Sequence, residues 1–286
     1  MPAPSYRKYV QDALASVMDA GEARSVMLLM FERRFGMSVS DVLMGKPDSL
    51  SPEERSEMDG LVERVVGGEP VQYVLGGCEF CGMDLTVGPG VLIPRPETSE
   101  LVGWCAGLYP QDSHLKILDI GTGSGCIALA LKRLFPMSEV AGWDLSADAL
   151  SLARRNASRL SLDVVFERHD ILNIESETAL QPSAYDLIVS NPPYVCESEQ
   201  TEMERNVLDY EPHLALFVPD SDPLLFYRSI AAFAVKTLKR GGSLFFEINR
   251  KYGAEVSGLL RSNGFSSVEV RKDQFGNDRM VRGLLE

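Results

Sequence analysis

The sequence predicts an α/β protein: a doubly wound, mostly parallel sheet of seven strands, with a small helical domain ahead of it. Three observations carry this prediction. Between Leu115 and Ile248 short β-prone runs alternate with segments of helical period, the pattern of repeated strand–helix units. The last two β-prone runs, Ser267 to Lys272 and Arg279 to Leu285, are separated by only a short turn-rich loop, so they must pair antiparallel. Residues 1–70 show helical periodicity and little else.

The chain of 286 residues is long enough for one large domain plus a small one, and 45% hydrophobic with 24% charged residues is an ordinary globular composition. No apolar run approaches membrane-spanning length, and the N-terminus leads into an amphipathic pattern rather than a signal core. We therefore expect a cytoplasmic protein that does not engage a membrane. The net charge of −13 disfavours a protein held on a phosphate backbone by non-specific attraction. From Leu224 onward, however, 11 Lys and Arg face 6 Asp and Glu, which leaves room for a local basic groove. Five cysteines, an odd number, give no support to a disulfide framework. Cys78 and Cys81 have CxxC spacing, but structural zinc needs two more ligands and His114, His169 and His213 are scattered, so no metal is expected.

Taken in order, Tyr6, Val10, Ala13, Leu14 and Val17 recur at helical spacing, and a second helix runs from Glu22 to Phe35. Ser38 can start a short helix that ends near Gly45. Ser51-Pro52-Glu53-Glu54 is a strong helix start, with Ser as N-cap, Pro in the first turn and Glu three residues on; Gly67-Gly68 ends that helix. This places a helical bundle at 1–70, a docking surface for substrate or a plain solvated exterior. Residues 71–95 read as a β-hairpin linker, with Gln72-Tyr73-Val74-Leu75, Glu79-Phe80 and Met83 to Val87 as its β-prone pieces. Val91-Leu92-Ile93-Pro94-Arg95-Pro96-Glu97-Thr98 then enters the domain at 96–286, either as a stiff lead into the next helix or with Arg95 or Glu97 at the mouth of a site.

Leu115 to Ile120 is an apolar strand followed at once by Gly121-Thr122-Gly123-Ser124-Gly125 and then by a helix from Ile127 to Phe135. A strand, a glycine loop and a helix N-terminus form a ligand cradle, because glycine lets the backbone approach closely and take positive φ. The spacing is G-x-G-x-G with Asp119 two residues ahead, and Cys126 stands where a dinucleotide fingerprint would require its last glycine. The arrangement resembles the S-adenosylmethionine loop of Rossmann-like methyltransferases. Two further strands end in acids, Asp144 where such folds bind ribose hydroxyls and Asp170 where an adenine amine would lie. Either acid can instead cap the helix that follows it.

The strand Tyr185 to Val189 closes on Ser190-Asn191-Pro192-Pro193-Tyr194. Each proline fixes its own φ and holds the residue before it extended, which makes a stiff shelf at the carboxyl end of a strand. The Asn191 amide and the rigid carbonyls beside it suit a planar –NH2 group, and Tyr194 supplies a flat face.

Together these residues resemble the glutamine N5-methyltransferases of peptide-chain release factors (PrmC/HemK type) over nearly the full length. The likeness lies in Ile93 to Thr98, Asp119 to Ala128, Ser190 to Tyr194, Glu211-Pro212 with Ala215-Leu216-Phe217, and Phe226-Tyr227-Arg228. Ser99 stands where the family commonly has Glu, Phe217 to Asp222 replaces a Gly-rich turn, and Asn249 replaces a Gly. The resemblance implies a Rossmann-like seven-stranded methyltransferase sheet, S-adenosylmethionine as cofactor and S-adenosylhomocysteine as product, without a metal. It also implies methyl transfer to the glutamine of a Gly-Gly-Gln tripeptide in a release factor. Asp119, Gly121, Thr122, Gly123, Gly125, Asp144, Asp170 and Asn191 would bind cofactor. Asn191, Pro192, Pro193 and Tyr194 would hold the acceptor amide, with Asn191, Pro192 and Tyr194 catalytic. The competing expectation is an amino-methyltransferase using the same shelf on a base of RNA or DNA, which the net acidity disfavours.

Overall fold

A computed structural model describes residues 5–174 and 183–286. The chain forms two compact units. The first comprises residues up to Gly77 together with Glu204–Tyr210, the second Cys78–Met203 and Glu211–Glu286.

The first unit packs α1 (Tyr6–Leu14), α2 (Ala20–Phe35), α3 (Val39–Leu43), α4 (Pro52–Val66) and α5 (Val71–Leu75) around a core that includes Val10, Leu14, Met27, Met30, Phe31, Met58 and Val62. Ser38 and Ser51 each close a capping box, with Asp41 and Glu54 respectively, as the Ser-x-x-acid spacing requires. One expectation is corrected here: Gln72-Tyr73-Val74-Leu75 is helical, not extended. Pro70 opens this single turn and Gly76 closes it in the left-handed conformation (φ 70°), while Val74 joins the helical core. The only hairpin in this region is β1 (Gly77–Phe80) with β2 (Met83–Thr86).

The second unit contains α6 (Pro96–Ala106), β3 (Lys116–Ile120), α7 (Cys126–Leu134), β4 (Glu139–Asp144), α8 (Ala147–Leu160), β5 (Val165–Arg168) and β6 (Tyr185–Ser190). A two-residue strand β7 (Val195–Cys196) follows, and the chain passes through α9 (Arg205–Tyr210), which belongs to the first unit. Next come β8 (Phe217–Val218), α10 (Leu225–Thr237), β9 (Leu238–Glu247), α11 (Gly253–Ser262), β10 (Phe265–Lys272) and β11 (Asp278–Leu285). The main sheet has seven strands in the order β10-β11-β9-β6-β3-β4-β5; β10 and β11 pair antiparallel, and β11 pairs antiparallel with β9, while the pairs from β9 across to β5 are parallel. Side chains alternate between its two faces. Ile117, Leu187, Val189 and Phe245 meet α6, α7 and α8 on one side, and Leu118, Ile188, Leu244 and Phe246 meet α10 and α11 on the other. Among the described residues, no helix is long and apolar enough to cross a membrane.

Candidate active site

Strand register assembles the site. Ile120 pairs with Trp143 across β3–β4 and with Ser190 across β3–β6, and Ser190 pairs with Phe246 across β6–β9. The next residue on each strand therefore falls into one row along the carboxyl edge: Asp144, Gly121, Asn191 and Glu247. The chain leaves β3 towards β4 on one side, while β6 lies on its other side, so the row crosses the switch point where open α/β sheets bind ligands. Residues far apart in sequence become neighbours at strand spacing, about 5 Å.

The glycine loop turns tightly over the end of β4. The N–H groups of Gly121 and Thr122 both donate to the Trp143 carbonyl, at 2.8 and 2.9 Å. Gly121 and Gly123 have φ of 75° and 55°, and a Cβ on Gly123 would meet nothing within 4 Å, which leaves that side of the loop open for a ligand. A Cβ on Gly121 would come 3.9 Å from the Asn191 carbonyl, so the loop and the Asn-Pro shelf are adjacent. Gly125 serves packing instead: its absent Cβ would crowd Ala153 at 3.1 Å and Phe166 at 3.2 Å.

Asp119 is fully buried. One carboxylate oxygen accepts from the Thr122 hydroxyl at 2.6 Å and the Ala128 N–H at 3.2 Å, and the other has no partner among the described residues. Burial pushes its pKa up to about 7 against the pull of those two donors. Asp144 accepts from Gly123 N at 2.8 Å and Ser146 N at 2.9 Å, and burial raises its pKa as well. It thus ties the loop to the start of α8. Asp170 spends both oxygens on its own turn, accepting from Leu172 N at 3.0 Å and Asn173 Nδ2 at 2.7 Å. It lies beyond the end of β5, next to β4, and its carboxylate faces the local turn. A ligand carrying a cationic or N–H-rich group fits this half of the site, because an unpartnered buried oxygen and a second desolvated carboxylate flank an open glycine face.

On the other half, Asn191 donates from Nδ2 to the Thr98 hydroxyl at 3.2 Å, and its Oδ1 accepts from no group among the described residues. Thr98 in turn donates to Glu247 Oε2 at 2.6 Å, and the Tyr194 hydroxyl donates to Glu247 Oε1 at 3.0 Å. Thr98 and Glu247 are almost completely buried, and burial raises the Glu247 pKa despite these donors. Pro192 is buried and Pro193 partly exposed. Tyr194 packs beside the apolar cluster of α10 and α11, with its phenol pushed far up by desolvation. Its hydroxyl anchors it inward, which the sequence reading, treating Tyr194 as a flat cover, did not foresee. Sequence reading also passed over Thr98 and Glu247. The usable signal for Glu247 was an acid at the end of a strand, the same placement that singled out Asp144.

Arg95 and Glu211 meet directly. Glu211 accepts from Arg95 Nη2 at 2.5 Å and from Ile93 N at 3.0 Å, and its side chain is 1% exposed. The Ile93-Pro94-Arg95-Pro96 segment is thereby fastened to Glu211-Pro212, which holds the start of α6, and with it Thr98, in place.

Comparison with known proteins agrees with this architecture. A model of the PrmC N-terminal domain matches residues 8–76 and one of a methyltransferase domain matches 111–238. The release factor glutamine methyltransferase of Bacteroides thetaiotaomicron is 45% identical over 96% of this chain and 96% of its own length. That of Flavobacterium psychrophilum is 40% identical over 97% of each. Among solved structures, a methyltransferase from Pyrococcus furiosus aligns with TM-score 0.51 at 16% identity, covering 82% of this chain and 98% of its own. A T. thermophilus 16S rRNA methyltransferase in complex with AdoMet and guanosine aligns with TM-score 0.52 at 19% identity, covering 73% of this chain and 50% of its own. These two share the fold. With relatives this similar from end to end, the chain belongs to the release factor glutamine methyltransferase family.

Proposed function

We propose that this protein transfers the methyl group of S-adenosylmethionine to the side-chain amide nitrogen, N5, of the glutamine in the Gly-Gly-Gln segment of a peptide-chain release factor. The observation that carries the reading is the posture of Asn191. Its side-chain nitrogen donates to Thr98, which leaves Oδ1 as a free acceptor among the described residues, and its backbone carbonyl lies next to Gly121 of the glycine loop.

The cofactor, when bound, supplies an electrophilic methyl group on a sulfonium centre. Asp119, Gly121, Thr122 and Gly123 would hold it while Gly125 packs the loop against Ala153 and Phe166, with the unpartnered Asp119 oxygen as an acceptor and the carboxylates offsetting positive charge. Asp144 would take hydroxyl groups of the nucleoside, and Asp170 would reach its amine only by sharing oxygens that already accept from Leu172 N and Asn173 Nδ2. An amide nitrogen is a poor nucleophile because its lone pair is delocalised into the carbonyl. Asn191 Oδ1 and the Pro192 carbonyl would accept its two N–H bonds, fix its plane and turn it towards the methyl carbon; Pro193 and Tyr194 keep that shelf rigid. Placement and exclusion of water of this kind reach several kcal/mol, about 7–11 in the best-oriented cases. The helical unit at the N-terminus would dock the release factor, and the protein would act in the cytoplasm.

The test is mass spectrometry of a release factor incubated with the enzyme and S-adenosylmethionine. One added CH2 unit on the Gly-Gly-Gln glutamine is expected, with no methylation of bulk RNA. Modification of RNA alone would replace this reading by the nucleic-acid one. Asn191→Ala should keep cofactor affinity while turnover falls by about a hundredfold or more; unchanged turnover would remove Asn191 from the mechanism.

A further inference from the structure

The amide of Asn191 has two ends, and which one faces the acceptor decides what the site can accept. The side chains of Thr98, Glu247 and Tyr194 determine this. Glu247 receives one donor on each carboxylate oxygen, Thr98 on Oε2 and Tyr194 on Oε1. With its hydrogen committed to Glu247 at 2.6 Å, the Thr98 hydroxyl has only lone pairs to offer Asn191, 3.2 Å away. Only the –NH2 end of Asn191 satisfies those lone pairs. The reverse orientation would set oxygen against oxygen in a buried position and leave both unsatisfied.

We propose that Thr98 and Glu247 are positioning residues that polarise a hydrogen-bond chain from Asn191 through Thr98 to Glu247, fix the Asn191 oxygen towards the acceptor, and thereby make the site select an amide –NH2 over a carboxylate. This deepens the function proposed above and rests on it. A glutamine presents two donors, one of which meets Asn191 Oδ1; a glutamate in its place presents only acceptors, and its oxygen would stand against that same Oδ1. A site built around a required hydrogen bond rejects an analogue that cannot make it far more strongly than an apolar pocket rejects a size change. The chain is rigid at each point. Thr98 is in the first turn of α6, whose lead-in segment is fastened by the Arg95–Glu211 pair. Glu247 ends β9 beside Asn191 in register, and the Tyr227 hydroxyl donates to its backbone carbonyl at 3.3 Å. Tyr194 is held at its own carbonyl by Asn249 Nδ2 at 3.2 Å.

The test compares full-length wild type with Thr98→Val, Thr98→Ser and Glu247→Gln. Each is measured for turnover on a release factor, for cofactor affinity, and for the ratio of its affinities for that factor and for the Gly-Gly-Glu version of it. Wild type should favour the glutamine form by about tenfold or more. Thr98→Val keeps the shape but offers Asn191 nothing. It should lower kcat by at least about tenfold with cofactor affinity unchanged, and the Gln/Glu ratio should collapse to within about threefold. Thr98→Ser restores the hydroxyl and should recover most of both. Glu247→Gln should lower the ratio too, because an amide can donate back to Thr98 and release the direction of the chain. A purely structural role would not move the ratio. A wild-type ratio in Thr98→Val, or in Glu247→Gln should the valine variant not fold, overturns the proposal. Wild type that fails to methylate the release factor overturns the function itself, and the two failures are read from different measurements.

Discussion

Gly142, in the middle of β4, should be one of the least replaceable residues in the sheet. A Cβ there would lie 2.7 Å from Phe166 Cε1, 2.8 Å from Phe166 Cδ1 and 2.7 Å from the Thr122 hydroxyl. Comfortable contact between such atoms is about 3.5–4.0 Å, so two neighbours must each retreat by roughly 1 Å. Neither has room. Phe166 is 5% exposed, and its ring tip already abuts the Gly125 backbone, where a Cβ would come 3.2 Å from Cζ. The Thr122 hydroxyl donates to Asp119 at 2.6 Å, and displacing it would strip one of the two donors from a buried carboxylate that already has an unpartnered oxygen. Overpacking of this sort costs about 1–3 kcal/mol, and the disturbed hydrogen bond adds about 1–3 kcal/mol. Replacing a strand glycine recovers only about 0.5–1 kcal/mol of backbone entropy. Gly142→Ala should therefore destabilise the second unit by about 3 kcal/mol, a fall in Tm of roughly 6–12 °C. Both tryptophans, Trp104 and Trp143, lie in that unit, so their fluorescence follows its unfolding without interference from the helical unit. Cofactor affinity should fall as well, because Thr122 belongs to the loop. Adding Phe166→Leu should make the double variant less unstable than the sum of the singles by about 1 kcal/mol. A Gly142→Ala protein within about 0.5 kcal/mol of the parent, with parental cofactor affinity, would refute the reasoning.

Three other outcomes are expected. Asp119 has a folded pKa of about 7 against an unfolded value near 3.9. The folded state thus binds more protons in between, and the ligand-free enzyme should lose stability as pH rises from about 4 to about 7, then level off. Asp144 and Glu247, also raised by burial, contribute a slope of the same sign, so urea titrations across that range should show a steeper slope in the parent than in Asp119→Asn; equal slopes would relocate the titration. Asp144→Ala should weaken cofactor binding in calorimetry and loosen the Gly123 and Ser146 contacts, whereas unchanged affinity would reduce Asp144 to a cap of α8. Arg95→Met strands the buried Glu211 carboxylate and should cost about 1–3 kcal/mol. The double variant with Glu211→Gln should recover part of that loss, and a fully additive double variant would show that the pair does not couple.

Much of the catalytic sheet could be read from sequence because its strands are mostly apolar and closed by marked residues. Asp119, Asp144 and Asn191 sit where strand ends were expected, and β4 runs from Glu139 to Asp144 as the pattern indicated. What escaped was short or non-local. A five-residue apolar run such as Val71–Leu75 fits either period, and its helical state is settled by Pro70, Gly76 and packing into the helical core. The two-residue strands β7 and β8 carry no period at all. The β-prone run Gly242 to Ile248 reads as a strand that starts after the glycine pair, but β9 begins at Leu238 and runs through Gly241-Gly242, where a side chain at Gly242 would collide with the Lys239 carbonyl at 2.8 Å. Thr98 looked like the start of a helix and nothing more. Its role exists only because register brings Glu247 next to Asn191, and a single sequence without pairing information does not contain that adjacency.

The distribution of unmet acceptors along the carboxyl edge argues for a division of labour between its two halves. Folding buries two carboxylates there, Asp119 and Glu247, and half-buries a third, Asp144, and desolvation raises the pKa of each. Glu247 is supplied by protein donors on both oxygens, and its strain is resolved internally. Asp119 is not: one oxygen stays without a partner in a fully buried position, an arrangement that costs stability unless an incoming donor meets it. On the other side of Gly121 a second acceptor is left open, Asn191 Oδ1, its opposite end pinned by Thr98. One unpartnered acceptor thus belongs to the strand that leads into the glycine loop and the other to the Asn-Pro shelf, and the two meet where a Cβ on Gly121 would come 3.9 Å from the Asn191 carbonyl. Filling the first should stabilise the free protein, since it relieves a buried charge. Filling the second should add little stability and mainly orient what binds. Thermal shifts with S-adenosylhomocysteine alone, and with a Gly-Gly-Gln peptide alone, separate the two. A large shift with the peptide and none with the nucleoside would reverse the assignment of the two halves.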